Sequence, residues 1–600
     1  MKNYRSTIEF IVICILFLAL IIILTYPLAF KISTHIPGFF STDEPYTFLW
    51  ESWRIKYSIT NAVPLKVTNL ISYPFGADLY SAGLFQYLWI GIFCFFSLIT
   101  TPALAYNLQL ILNFLLTGVF TYLLVFRLTG NKLSAILSGI IFAFCPYQFV
   151  RAWQHFSLTY NQWIPLCLLA AIMLKENQSR RNAVLFSAAM ILLFSFDYTI
   201  MYMGTITIAV FLLYILFYNW KIKIFQQRSI LIGDLNYIKK LFFIGIAVFI
   251  ILLPQFFNYI KNRFVFYSVL QVSAHNPYHR AFEDLFVQSA KPLSYLLPAV
   301  VHPIFGKFTE QFVGSQFYGV SFTEHTLYLG WTPLILAFIA FRRWKKRRDD
   351  FYIGFFVLLA IAAWLFSQPP WWNIFGFKVY MPSFFMYKIL PMFRAYCRFG
   401  IVLMLAVAVL AGFGLKFILL KLKAENLKLF VTILFCALVL FEFWNWPPYK
   451  VIDVSGVPAV YYWLREQPGD FAVAEYPLDA DSPNEMYKFY QTRHEKKIIN
   501  ATTPGTYANQ VAQEIKKLSE PKTAGILKWM GVRYVLVHRD GYIETELIEE
   551  KEELDRIPQN PKLKLVKSFP IQDCPQKDIM CVQKTGPIDV YEVIAPPIAP

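Results

Sequence analysis

Residues 8–30 read "IEFIVICILFLALIIILTYPLAF", an apolar run whose one charge is Glu9, near its start. A helix rises about 1.5 Å per residue, so this run is long enough to cross a hydrocarbon core about 30 Å thick. It is too long for a signal-peptide core and no small-residue cleavage site follows it. It is therefore expected to stay on the chain as a membrane anchor and first span. The rest of the sequence repeats the pattern. Of 600 residues, 57% are hydrophobic, 18% aromatic and only 16% charged, where a soluble domain carries about 25% charged residues. This is the composition of a polytopic α-helical membrane protein.

The formal net charge of +17 does not point to nucleic acid. Much of the Lys and Arg lies in short clusters between apolar runs: "FRLTGNK" (126–132), "KENQSRR" (175–181), "NWKIKIFQQR" (219–228), "FRRWKKRR" (341–348) and "KLKAENLK" (421–428). That is the positive-inside pattern of cytoplasmic loops, and no contiguous basic stripe with stacking groups accompanies it. Spans placed near 8–30, 105–126, 133–150, 158–174, 183–203, 204–219, 241–260, 326–341, 351–367, 400–420 and 428–446 put all five clusters on one side when the N-terminus is inside. This gives about eleven spans. The run "FQYLWIGIFCFFSLI" (85–99) would break the alternation as a full span, and is read as a segment that dips into the membrane or lies on its surface.

This topology places four loops outside, at 31–104, 151–157, 261–325 and 368–399, together with everything beyond 446. From there the long apolar runs cease. "FAVAEYP" (471–477), "VRYVLVH" (532–538) and "LKLVKSFP" (563–570) read as strands; "VPAVYYWLREQ" (457–467) and "NQVAQEIKKLSEPKTAGILKWMG" (509–531) read as amphipathic helix. The expectation is a transmembrane domain over 1–446 and an extracytoplasmic, soluble α/β domain over 447–600. Most of the eight cysteines lie in apolar runs; Cys574 and Cys581 lie in the polar C-terminal region, where a disulfide is one of two open alternatives.

"STDEPYTFLWESW" (41–53) sets two carboxylates where the chain has just left the membrane. Ser41 with Glu44 three residues on fits a capping box. Pro45 prefers the first helical turn, so Thr42 or Asp43 can be the cap instead. The box leaves Asp43 without a role. Tyr46, Trp50 and Trp53 follow on nearly one face, as an interfacial helix would show.

With "SYPFGADLY" (72–80), "AYNLQLILNFLLTGVFTYLLVFRLTGN" (105–131), "CPYQFVRAWQHFSLTYNQWIPL" (145–166), "FTEHTLYLGWTPLIL" (322–336), "LPMFRAYCRFGIVLMLAVAVLAGFGL" (390–415), "RHEKKIINAT" (493–502) and "MGVRYVLVH" (530–538), this stretch resembles the GT-C superfamily of bacterial membrane glycosyltransferases. The likeness is carried by spaced, degenerate motifs over most of the chain. It implies a plasma-membrane enzyme that uses a polyprenyl-phosphate-linked sugar donor and an extracytoplasmic glycan, lipid or protein acceptor. It also implies that an acidic residue of the first outer loop is the catalytic base, here Asp43, with Glu44 second. A base opposite the leaving group suits inversion at an anomeric carbon.

The leaving phosphate then needs cations at the membrane boundary. Arg394 and Arg398 are four apart, hence on one helical face, on the side where basic residues are otherwise scarce. They are candidate phosphate ligands, with Lys388 third; helix-end anchoring is the alternative reading. Arg151 and His155, also four apart, are candidates for contact with donor phosphate or sugar. Trp50, Asp197, Glu324 and His325 complete the substrate-binding candidates. The acidic residue that some GT-C relatives carry in the second outer loop is missing, so a divalent cation is left open and no metal ligand is assigned. His275, His279, Glu283, Asp284 and His302 in the 261–325 loop match no standard metal spacing. No chemistry is assigned to Arg493 and His494, and the "NAT" sequon at Asn500 is uninformative on its own. A transporter or lipid flippase, or a silent scaffold with an outer sensing domain, is the competing class. The near-absence of charge inside the spans disfavours transport.

Overall fold

A computed structural model describes residues 2–38, 43–79, 87–223, 235–254, 279–311, 322–347, 350–445, 449–478, 481–503, 506–543, 548–570 and 587–600. Cys574 and Cys581 lie outside the described residues, as does the side chain of Asp43.

Among the described residues, seven helices are long and apolar enough to cross a membrane: Thr7–Leu24, Pro102–Thr129, Lys132–Gln154, Phe156–Glu176, Tyr198–Tyr218, Leu235–Pro254 and Tyr396–Leu419. The other expected spans correspond to the helices Arg180–Phe194, Trp331–Arg347, Phe351–Phe366 and Glu425–Glu442, of 15, 17, 16 and 18 residues. The dipping segment is a 13-residue helix, Tyr87–Ile99, about 20 Å long and too short to span.

Turn chemistry at the basic clusters explains where helices stop. In "FRLTGNK", Gly130 takes the left-handed C-cap (φ 66°) of Pro102–Thr129, and Asn131 at once caps Lys132–Ala143 through the Ser134 amide. Ser179 and Asp350 cap Arg180–Phe194 and Phe351–Phe366 in the same way.

One expected boundary is displaced. The spans drawn as 183–203 and 204–219 meet instead at Ser195–Asp197, because Asp197 accepts from the Thr199 and Ile200 amides and so starts a new helix, Tyr198–Lys223. Gly204 is a mid-helix residue; a Cβ there would lie 2.6 Å from Leu193 of the preceding helix. Gly400–Leu419, buried over most of its length, is the centre of the membrane region. Gly412 brings it against Ser138, and Gly414 brings it against the backbone of Trp331–Arg347 at Leu336.

The C-terminal region is tied to the first loop. Strand β1 (His35–Pro37) pairs antiparallel with β6 (Val451–Asp453); β2 (Val67–Thr68) and β3 (Ala77–Asp78) pair within the loop, as do β4 (Trp371–Ile374) and β5 (Phe377–Tyr380) in the 368–399 loop. A five-stranded sheet, in the order β10 (Leu563–Phe569), β11 (Ile588–Val593), β9 (Val532–His538), β7 (Ala472–Tyr476), β8 (Lys497–Ile498), is parallel across β9, β7 and β8 and antiparallel across the others. The first loop docks on its β8 edge, through Ser72 and Tyr73 amides donated to Asn500 and Ile498 carbonyls.

The segment 509–531, read as a helix, is two, Tyr507–Glu514 and Pro521–Trp529, because Pro521 starts a fresh helix at its first turn. Asn500 of the sequon is buried, and its side-chain amide bridges the Glu475 backbone on both sides. It is a structural residue.

Candidate functional site

The first-loop helix Asp43–Thr60 is buried against protein along the face that carries Tyr46 and Trp50. Its aromatic face is covered by the helix Asp481–His494: Tyr46 packs on Phe489 with ring centroids 5.4 Å apart, and the Trp50 indole donates to Gln491 Oε1 at 2.8 Å. Trp50 is thus buried in protein, which corrects the interfacial reading of this face. An aromatic stripe looks the same in sequence whether lipid or a second helix covers it.

Docking this helix on the C-terminal region leaves its N-terminus facing the turn after the Lys132–Gln154 span. Glu44 Oε2 is 2.8 Å from His155 Nδ1, and Glu44 Oε1 accepts from the Ser157 amide at 3.1 Å. Two residues singled out separately in sequence therefore meet. Burial alone would push the Glu44 carboxyl up; the His155 hydrogen bond and charge and the Ser157 amide outweigh it and hold the group below its ordinary value. Glu44 is an engaged carboxylate beside Asp43.

Arg151 is fully buried one turn before His155 and forms a fork with Glu324: Nη1 to Oε1 at 3.1 Å and Nη2 to Oε2 at 2.5 Å. Arg398 closes on the same carboxylate from the other side, with Nη2 to Oε1 at 2.7 Å. Burial would raise the Glu324 carboxyl, but the two guanidiniums hold it well below the usual carboxylate range. His325, beside it, is pushed down to about 4 by burial and by Lys291, and is a neutral imidazole at pH 7.

Arg394 and Arg398 both line one pocket, though not from one helical face. Residues 393–395 are irregular, and Tyr396–Phe399 forms a 3-10 turn before the Gly400–Leu419 helix. The pocket encloses about 540 Å³, its open mouth included, and is lined by Arg280, Arg394 and Arg398 on the cationic side and by Tyr198, Tyr202 and Phe393 among its aromatics. Arg394 is held by Asp284 at 2.9 Å. Arg280 is anchored through its backbone, which donates to Pro391 O and accepts from the Tyr387 hydroxyl. Burial, with Arg394 nearby, pushes its guanidinium down. Glu44, Asp197, Arg280 and Arg398 all lie within electrostatic range of the Tyr198 phenol, so the Glu44–His155 pair and the arginine pocket are adjacent. Asp197 caps the helix whose first turn lines the pocket.

Lys388 is not among the lining residues; its ammonium lies over the Phe384 ring at 4.3 Å. Arg280 was missed in sequence, although the signal that marked Arg394 and Arg398, an arginine on the side poor in basic residues, applies equally to it. Among the described residues no three His, Cys, Asp or Glu side chains converge as a metal set.

A pocket lined by three arginines and several aromatic rings suits an anion carried on an apolar or sugar-bearing molecule. Arginine's planar fork matches phosphate oxygens, and aromatic faces accept sugar rings or isoprenoid chains.

No family model and no curated protein matches the chain. Solved structures do. The archaeal oligosaccharyltransferase AglB from Archaeoglobus fulgidus, in complex with an inhibitory peptide and a dolichol-phosphate, gives a TM-score of 0.52 at 14% identity, over 90% of this chain and 70% of its own. Arabinofuranosyltransferase AftD from Mycobacteria gives 0.56 at 15% identity, over 98% of this chain and 40% of its own, so this chain spans well under half of that enzyme's length. Likeness at this identity defines fold. The chain has the fold of the GT-C membrane glycosyltransferases, the superfamily its motifs resemble.

Proposed function

We propose that the protein is an inverting glycosyltransferase that moves a sugar from a polyprenyl-phosphate-linked donor to a hydroxyl of an extracytoplasmic glycan, lipid or protein acceptor. The observation that carries this reading is the pocket lined by Arg280, Arg394 and Arg398 together with Tyr198, Tyr202 and Phe393, with Glu44 of the first loop within electrostatic range of the Tyr198 phenol. In the reaction, the acceptor oxygen forms a bond to the anomeric carbon as the bond to the phosphate oxygen breaks. The acceptor proton passes to Asp43, and the bonding electrons leave on the phosphate. Arg398 and Arg394 meet that growing charge, and Arg151 with Glu324 positions Arg398. Both Glu44 oxygens are engaged by His155 and Ser157, which supports Asp43 as the base and gives Glu44 the task of fixing the helix that carries it.

The test is sugar transfer by Asp43→Asn. Loss of a general base lowers turnover by about 10²–10⁴-fold, and the amide keeps the size of the side chain, so membrane insertion and melting are expected to be unchanged. Turnover close to wild type would remove Asp43 from the role.

A further inference from the structure

The hairpin formed by β4 and β5 plays no part in the reaction proposed above, and its tip is built against the usual rules. The register Trp371↔Tyr380, Trp372↔Val379, Asn373↔Lys378 and Ile374↔Phe377 leaves a two-residue turn, Phe375–Gly376, with φ of 50° and 85°. Both central residues are in the left-handed region, where tight hairpins prefer Asn-Gly or Gly-Gly. A phenylalanine there costs about 1–2 kcal/mol of backbone energy. It is also 97% exposed, and Phe377 beside it is 77% exposed. An isolated two-stranded hairpin is at best marginally stable in water, and leaving a phenylalanine in water forfeits about 1.5–3 kcal/mol of burial. The fold thus accepts two penalties at one point, and nothing in the described chain offsets either.

The base of the hairpin has the opposite character. Trp371 packs on Phe282 and Phe286, Trp372 meets Trp364 at 5.4 Å, and Tyr380 lies 4.5 Å from Phe384. Trp364 belongs to the last turn of Phe351–Phe366, a helix whose Leu358 and Ile361 are exposed as a lipid-facing surface would be. The hairpin continues that surface. Lys378 lies 4.5 Å over Trp371 and Lys388 4.3 Å over Phe384, cations on apolar stems at the level of the aromatic ring cluster. Phe385 and Ile389 of the following helix, Pro382–Ile389, are exposed too. Tip apolar, base Trp and Tyr with lysines over its rings: this is the gradient of a membrane interface.

We infer that the 371–380 hairpin is a bilayer-dipping wedge, with Phe375 and Phe377 in the acyl chains and Lys378 and Lys388 at the phosphate headgroups of the leaflet beside the arginine pocket. Its unpaired strand edges would be costly in hydrocarbon, so only the tip enters, about 5 Å below the headgroup boundary. The inference stands on the hairpin alone and does not depend on the glycosyltransferase reading.

The experiment places a nitroxide at Phe375→Cys, and separately at Phe377→Cys, in the full chain reconstituted in phosphatidylcholine–phosphatidylglycerol vesicles. Wild type labelled in parallel gives the background from native cysteines. Collision with oxygen, which concentrates in lipid, is compared with collision with a water-soluble nickel chelate. Oxygen is expected to dominate at 375 and 377, and nickel at an exposed control, Lys564→Cys. Nickel dominating at both tip positions would overturn the inference, since the tip is then in water. Low collision with both probes would overturn it as well, since another protein surface then covers the tip.

Discussion

Glu324 is the residue on which the charge arrangement turns. One buried carboxylate accepts from two guanidiniums, Arg151 with no exposure and Arg398 with a fifth of its side chain exposed at the pocket. Removing one partner of a buried ion pair costs about 3–5 kcal/mol, because the remaining charge is left uncompensated. Glu324→Gln is therefore expected to lower Tm by several degrees and to weaken transfer; an unchanged melting curve would show that the three groups are not coupled. Glu44 makes a milder, pH-dependent prediction. Its carboxyl is lowered in the fold, so its contribution is present above the unfolded carboxylate value and is lost as pH falls through the folded one. The Tm gap between wild type and Glu44→Gln should be full above about pH 5 and close on acidification. Sequence singled out each of these residues but not which of them pair. Spacing of four paired Arg394 with Arg398 and Arg151 with His155, whereas the fold pairs Arg398 with Glu324 and His155 with Glu44. Long-range pairing of charges is not written in local spacing. The partner of Trp50, Gln491, was hidden for the same reason.

Helix crossings depend on glycine where lipid gives no hydrophobic drive between helices. At Gly414 a Cβ would fall on the Leu336 carbonyl oxygen, and a backbone atom cannot turn aside as a side chain can. Gly414→Ala is expected to cost about 1–3 kcal/mol by overpacking, read as a lower Tm in detergent, while Gly130→Ala, with open space around its Cβ, strains only the helix cap. Equal melting of wild type and Gly414→Ala would mean that the two helices do not meet there. The basic clusters made most helix ends legible; Ser179, Asn131 and Asp350 cap the helices that follow them by local chemistry, a signal that the placing of the spans did not use. The break at Ser195–Asp197 was harder to see. Apolarity runs through it, and only the capping bonds of Asp197 separate the two helices. The β4–β5 hairpin was equally hidden, since Phe-Gly is not a residue pair that announces a tight turn.

The whole molecule brings its chemistry to one place by folding distant segments together. The first loop is clamped between the membrane region and the C-terminal region, through β1 on β6 and Trp50 on Gln491. That clamp sets Glu44 against His155 and, with it, the start of the 43–60 helix beside the arginine pocket. The composition and the alternation of charged loops made a membrane protein plain from sequence. The joining of 31–79 to 449–600 was not, because it depends on strand pairing between segments some 400 residues apart. The proposed function requires the arginine pocket to hold and stabilise a departing lipid phosphate. It is tested by incubating purified wild-type protein, and the variant Arg280→Ala/Arg394→Ala/Arg398→Ala, with a panel of polyprenyl-phosphate-linked sugars and membrane-derived acceptors, and measuring free polyprenyl phosphate. Wild type is expected to release it and the variant to release at least about 100-fold less, the scale of losing transition-state charge stabilisation. No release by wild type, or equal release by both, would rule out this role for the pocket.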